Sequence, residues 1–401
     1  MTAGFPAVSS LKPAPGLLTA PRFDALPPLS LYIHVPWCVR KCPYCDFNSH
    51  EARGELPEDA YVAALLADLE TALPQVWGRP VLTVFIGGGT PSLLSVRALD
   101  ALLSGVRARL PLAADAEITL EANPGTVEAE KFAGFRAAGV NRLSLGIQSL
   151  NDRHLKALGR IHDAKEARRA AELALATFDN VNLDMMYGLP DQSVAEAEAD
   201  LAAAIALGSQ HLSAYHLTIE PNTWFHRYPP SVPDDDTAAA MQDAVEAQLA
   251  AAGFEHYETS AFARAGRCSR HNLNYWMFGD YLGIGAGAHA KLSFKNNILR
   301  ESRTRQPKAY LERAGSDAVI GERREVTAAE LPGEFMMNAL RLNEGFDLDL
   351  FRARTGLELT CVLPQLDAAE ARGLLSRDHR RAVPTALGRR FLNDLIASFL
   401  D

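Results

Sequence analysis

The sequence predicts an α/β protein: a partial (β/α) barrel followed by a mainly helical, winged-helix-like C-terminal domain. Three observations carry this expectation. From residue 30, short apolar runs of strand length alternate with longer runs of helical spacing, the order in which a parallel sheet and its covering helices are written. The residues able to do chemistry stand at the downstream ends of those runs, the rim on which βα barrels build their sites. Beyond residue 307 helical spacing predominates.

Taken in order, strands are expected at residues 31–35, 82–86, 117–120, 142–146, 181–185 and 212–217, with helical segments after each of the first five. The first helix is expected over residues 58–73, because Pro57 precedes it and Tyr61, Leu65, Leu66 and Leu69 share one face. Cysteines follow the first strand, and Gly87, Gly88, Gly89 and Thr90 follow the second. Glu121 and Asn123 end the third, Gln148 ends the fourth, and Asp184 lies near the end of the fifth.

Past residue 230 the pattern changes to a helical stretch at 237–251, a strand-like HYETSAF and the Gly-rich GDYLGIGAGAHA at 279–290. The closing LLSRDHRRAVPTALGRRFLNDLIASFL reads as helices with a β-wing. The expected division is a loose tail over 1–28, a barrel over 29–230, an extension over 231–306 and a helical domain over 307–401.

The first 28 residues hold six prolines and no apolar run of signal-peptide length. Cytoplasm is the expected compartment, and thiols clustered in a reducing compartment point to metal binding or redox work rather than disulfides. A net charge of −9, from 40 Lys+Arg and 49 Asp+Glu, without a long basic run, argues against nucleic acid as a partner.

The chain has five cysteines in 401 residues, and Cys38, Cys42 and Cys45 fall within WCVRKCPYCDFNSHE at 37–51. A C-x3-C-x2-C loop can bring three thiolates to one iron–sulfur cube, which ordinarily takes four, so that one iron stays open to a further ligand. Two other readings stand beside it: zinc held by the three thiolates with His34 or His50, and a redox pair formed by Cys42 and Cys45.

SLYIHVPWCVRKCPYCDFNS resembles the cluster loop of radical S-adenosylmethionine (SAM) proteins, in the branch that holds oxygen-independent coproporphyrinogen III oxidases and related heme chaperones. FIGGGTPSLL, LEANPGT, RLSLGIQSLN, LGRIH, NLDMMYGLP, HLSAYHLTIEPNT, HNLNYW and YLGIGAGAHA resemble that branch in the same order, over residues 30 to 345. The resemblance implies a [4Fe-4S] cluster on Cys38, Cys42 and Cys45, with SAM on the open iron and cleavable to a 5′-deoxyadenosyl radical. It implies that Gly88, Gly89 and Thr90 approach the methionine part of SAM and that Glu121 takes the ribose hydroxyls. Arg160 is implied at a SAM carboxylate, with Gln148 and Asp184 in the same pocket. Tyr32 and Tyr44 are implied beside the adenine or the cluster, although an alternating strand position suits Tyr32 equally well to the core.

The oxidases carry a further cysteine two positions after the third, where this chain has Phe47. Their long N-terminal extension is also expected to be absent, and both departures, with HNLNYW at 271–276, are features of the chaperones. In that segment His271 offers an axial imidazole for heme, Tyr275 and Trp276 flat faces, and Arg267 and Arg270 partners for propionates; Cys268 and His289 are rival ligands. Cys361 reads as a small buried apolar residue. The expected function is a heme chaperone that passes heme to an unidentified acceptor protein, membrane-associated ones included, with an electron donor needed if SAM is cleaved. The alternatives are the oxidase and a zinc-stabilised binding module.

Overall fold

The structure, a computed structural model, describes residues 20–126 and 129–400. Each of the six expected strands forms; the first five are longer than their apolar runs, and the sixth is shifted one residue upstream. They are β1 (Leu29–Val35), β2 (Val81–Gly88), β3 (Leu112–Ala122), β4 (Arg142–Gln148), β5 (Val181–Tyr187) and β6 (His211–His216). They pair in parallel in that order.

The intervening helices are amphipathic and cover the outer face of the sheet. The first, α1 (Glu58–Val76), starts with two acids that suit the positive end of its dipole and buries Tyr61, Leu65, Leu69 and Val76. It passes through Pro74 rather than ending at Leu73, because a proline so near the end disrupts only the last turn. The next, α2 (Val96–Arg109), is capped by Ser95, whose side chain accepts from Ala98 N.

The sheet does not stop at six strands. HYETSAF forms a hairpin, β7 (Glu255–Glu258) and β8 (Ala261–Ala263), antiparallel to β6. On the other side β9 (Asp280–Ile284) joins β1 in parallel, followed antiparallel by β10 (His289–Ser293), β11 (Ile298–Arg303) and β12 (Ile320–Glu325). The result is one open twelve-stranded sheet whose edge strands do not meet, a barrel left incomplete.

A second core gathers Phe335, Phe346, Phe351, Leu366 and Phe399 from the C-terminal helices, beside a three-stranded sheet of 346–347, 375–377 and 381–384. Cys361 lies in this core, as expected of a small apolar residue. Phe23 is buried there too. Residues 1–19 of the expected loose tail lie outside the described residues, but the remainder of the tail is tied down: Arg22 N donates to Gly356 O at 2.9 Å, and Asp280 N to Pro28 O at 2.9 Å. Among the described residues no helix is long and apolar enough to cross a membrane.

Candidate functional site

The downstream ends of the parallel strands surround a cavity of about 320 Å³. Cys38, Cys42 and Cys45 line it from one side, Gly88 to Thr90 from below, and Glu121, Gln148, Arg160 and Asp184 from the remaining strands and loops. All three cysteines are free and half-buried, and burial pushes the thiols of Cys38 and Cys45 upward in pKa.

The glycine turn is what lets the cysteine loop settle. Gly89 N donates to Val35 O and Thr90 N to Trp37 O, each at 2.7 Å, so the turn and the loop share backbone hydrogen bonds. A Cβ on Gly89 would stand 2.5 Å from the Trp37 carbonyl oxygen, and Gly88 sits at φ +113° against the His34 ring. Gly88 N also donates to Glu121 Oε2 at 3.0 Å.

Glu121 is pushed up to about 8 by burial and by the neighbouring carboxylate of Asp184. Asp184 is raised by burial as well, a shift opposed by Asn182 and Ser144, which donate to its two oxygens at 2.8 and 3.1 Å. Arg160 lies across from these acids. Its guanidinium donates to Gly146 O at 2.8 Å and to Asn123 Oδ1, and it stands 3.7 Å from the Cys42 sulfur. Gln148 is held at φ +69°, a strained conformation for a residue with a Cβ, at the lip of the cavity. Tyr44 faces Phe225 at 6.4 Å, and burial raises its hydroxyl pKa.

Two expected site residues lie elsewhere. Tyr32 does not line the cavity; its ring stacks on Phe85 and its hydroxyl meets His34 Nδ1 at 3.0 Å, behind the cysteine loop. His271 is on α8 (Arg270–Trp276), which closes the opposite, upstream end of the sheet. There His271 Nδ1 is 2.8 Å from Thr83 Oγ1, and the ring packs against Phe85. Five residues along β2 separate Thr83 from Gly88, roughly 16 Å of strand. Burial, with Arg142 nearby, lowers the His271 imidazole to about 3. In this conformation it faces neither the cavity nor solvent. Tyr275 on the same helix is exposed, and His289 is exposed at the start of β10.

Sequence reasoning considered His34 only as a zinc ligand and missed Asn48. His34 Nε2 is 2.9 Å from Asn48 O, while Asn48 Nδ2 donates to Ala286 O and Arg305 O, both at 2.9 Å. Gly285 and Gly287 make room for this packing: a Cβ on Gly285 would stand 2.4 Å from His34 O, and one on Gly287 2.4 Å from Asn48 Nδ2. With both ring nitrogens engaged, His34 has no lone pair left for zinc. Among the described residues no three His, Cys, Asp or Glu side chains stand as a group able to hold one metal ion. Three free thiols around a shared cavity, with a cation beside one of them, instead suit a larger, anionic polynuclear centre with one position left for a second ligand.

Residues 32–204 match the family model of the radical SAM superfamily, and residues 326–391 that of the HemN C-terminal domain. The chain is 53% identical over 377 residues to the heme chaperone HemW of Escherichia coli, covering 94% of this chain and 99% of that protein. It belongs to the HemW family of radical SAM proteins. HemW of Mycobacterium tuberculosis is 38% identical over 381 residues, covering 93% of this chain and 95% of its own. A mitochondrial radical SAM domain-containing protein of Bos taurus is 36% identical over 407 residues, covering 97% and 89%. The fold is that of the coproporphyrinogen III oxidase HemN from Escherichia coli, with a TM-score of 0.80 over 94% of this chain and 90% of that one at 23% identity. As in other radical SAM proteins, the cofactors are a [4Fe-4S] cluster and SAM.

Proposed function

We propose that this HemW-family chain is a heme chaperone of the cytoplasm, holding heme together with a [4Fe-4S] cluster and SAM and delivering the heme to an acceptor protein. The reading is carried by the end-to-end likeness to curated heme chaperones, 53% over 99% of the Escherichia coli protein. Phe47 supports it, since a phenyl ring stands where the oxidases have a further thiolate.

Cys38, Cys42 and Cys45 hold the cluster, and Arg160 beside Cys42 offsets part of its negative charge. When bound, a reduced cluster would supply a low-potential electron to the sulfonium of SAM, the cluster itself drawing that electron from an electron-donor protein. The backbone from Gly88 to Thr90 receives the methionine end of SAM, Arg160 its carboxylate, and Glu121 its ribose hydroxyls. Asn123, Gln148 and Asp184 complete the wall. Heme is assigned to the HNLNYW helix, with His271 as axial ligand and Tyr275 and Trp276 as flat faces. For His271 to reach iron, α8 must swing out and give up the hydrogen bond to Thr83.

Anaerobically reconstituted protein tests this directly. It should take up heme with a distinct absorption spectrum, release it to an apo-acceptor and leave coproporphyrinogen III unchanged. Conversion of coproporphyrinogen III without heme uptake would make the protein the oxidase instead. His271→Ala should alter the heme spectrum, and an unaltered spectrum would point to Cys268, His289 or no protein ligand.

A further inference from the structure

A file of hydrogen bonds, joined at Asn182 by the hydroxyls of Ser144 and Ser213, runs through the sheet from the cavity to the HNLNYW helix. Ser269 N donates to the Tyr257 hydroxyl oxygen at 3.3 Å, and that hydroxyl is 2.8 Å from His211 Nε2. On the other side of the ring, His211 Nδ1 is 2.6 Å from Asn182 Oδ1, and Asn182 Nδ2 donates to Asp184 Oδ1 at 2.8 Å. Asn182, His211 and Tyr257 are buried, and Ser269 is fully so. Ser269 is also the N-cap of α8, accepting from Asn272 N. The file therefore starts at the cap of the helix that carries His271 and ends on a carboxylate that lines the cavity.

Its polarity is fixed at the cavity end. The Asp184 carboxylate accepts from Asn182 Nδ2, which leaves Asn182 Oδ1 facing the ring; the neutral His211 therefore donates through Nδ1, and its Nε2 accepts from the Tyr257 hydroxyl, whose oxygen accepts from Ser269 N. Burial keeps His211 neutral, well below its ordinary pKa, which this tautomer requires. Every donor points toward Asp184. In such a chain each bond polarises the next, so a change at the acceptor is felt by the first donor.

We propose that this file couples the two sites: a hydrogen-bond donor brought to Asp184 by bound SAM competes with Asn182, slackens the file and loosens the cap of α8, freeing His271 for heme. The inference rests on the proposed assignment of heme to His271. SAM occupancy thus raises heme affinity, and by reciprocity heme raises SAM affinity by the same factor. His211 and Tyr257 act as positioning residues, touching neither ligand.

Tyr257→Phe tests the file by removing one hydroxyl while keeping the buried ring. Ferric heme is titrated into full-length, cluster-reconstituted protein with and without saturating SAM. The wild type should bind heme about fivefold or more tightly with SAM, and Tyr257→Phe should bind tightly in both conditions. A wild type indifferent to SAM, or a variant that keeps the full shift, overturns the coupling while leaving heme binding in place. Hydrogen exchange of amides 269–276 in the wild type gives a second reading that needs neither heme nor the variant. SAM should accelerate it, and unchanged exchange overturns the coupling. A wild type that binds no heme removes the proposed function instead, and the exchange result then decides the coupling alone.

Discussion

The two ends of the parallel strands are built from the same chain segments and treat polar groups in opposite ways. At the downstream end, Glu121, Asp184 and three thiols face open space, and two of those thiols and both acids are pushed upward in pKa by burial. At the upstream end Glu117 accepts from Arg270 N and His271 N, Thr83 bonds both Ser30 and His271, and Asn274 reaches Ser30. One end leaves capacity for ligands; the other uses its polar groups on itself. The contrast teaches that the ligand end is marked by polar groups that open onto a cavity, and the structural end by polar groups that close on one another.

The comparison can be broken at several points. Cys38→Ala should abolish cluster assembly, read as loss of bound iron and sulfide, yet leave some heme uptake, at the affinity seen without SAM. Equal loss of both in a folded variant would show that the ends are not separate. Gly89→Ala should also cost most of the cluster, because its Cβ meets backbone rather than a flexible side chain. It should destabilise the fold by on the order of 2 kcal/mol in urea unfolding.

Glu121 sharpens the contrast through pH. Its folded-state pKa of about 8 exceeds the ordinary 4.5, so the folded protein holds a proton that the unfolded chain has lost. Stability of the cofactor-free protein should therefore fall as pH rises from 4.5 through 8, and Glu121→Gln should remove that part of the slope. An identical slope in the variant would mean that Glu121 ionises freely. The smallest effect is expected at the sealed end. Thr83→Val leaves His271 Nδ1 without its partner and should cost about 1–3 kcal/mol of stability with cluster assembly unchanged.

How much of the molecule was legible in the sequence depends on the range of the interactions. The six parallel strands were visible because each is a local apolar run between turns, and their ends placed the cysteines, the glycine turn, Glu121 and Asp184 around one cavity. The pairing of β9 with β1 was not visible, since residues 29 and 280 meet through a register that no local pattern encodes. That pairing sends HNLNYW to the far end of the sheet and buries His271, a placement the motif itself did not disclose. Asn48 was missed for a related reason: its partners, Ala286 and Arg305, lie more than two hundred residues away. β12 hid inside a region of helical spacing because its IGERRE is almost wholly exposed and carries no apolar alternation.

Phe23 belongs to the core built by residues 278–399, with Arg22 fastened to Gly356. During synthesis the leading segment emerges first, but its berth is finished only when the C-terminal helices leave the ribosome. The parallel strands can pair before residues 331–399 have been made, whereas the core that holds Phe23 cannot close until they have. A fragment cut near residue 325 would therefore carry an uncovered phenylalanine and a stranded leader, and the two halves are better regarded as one cooperative body stitched at its beginning.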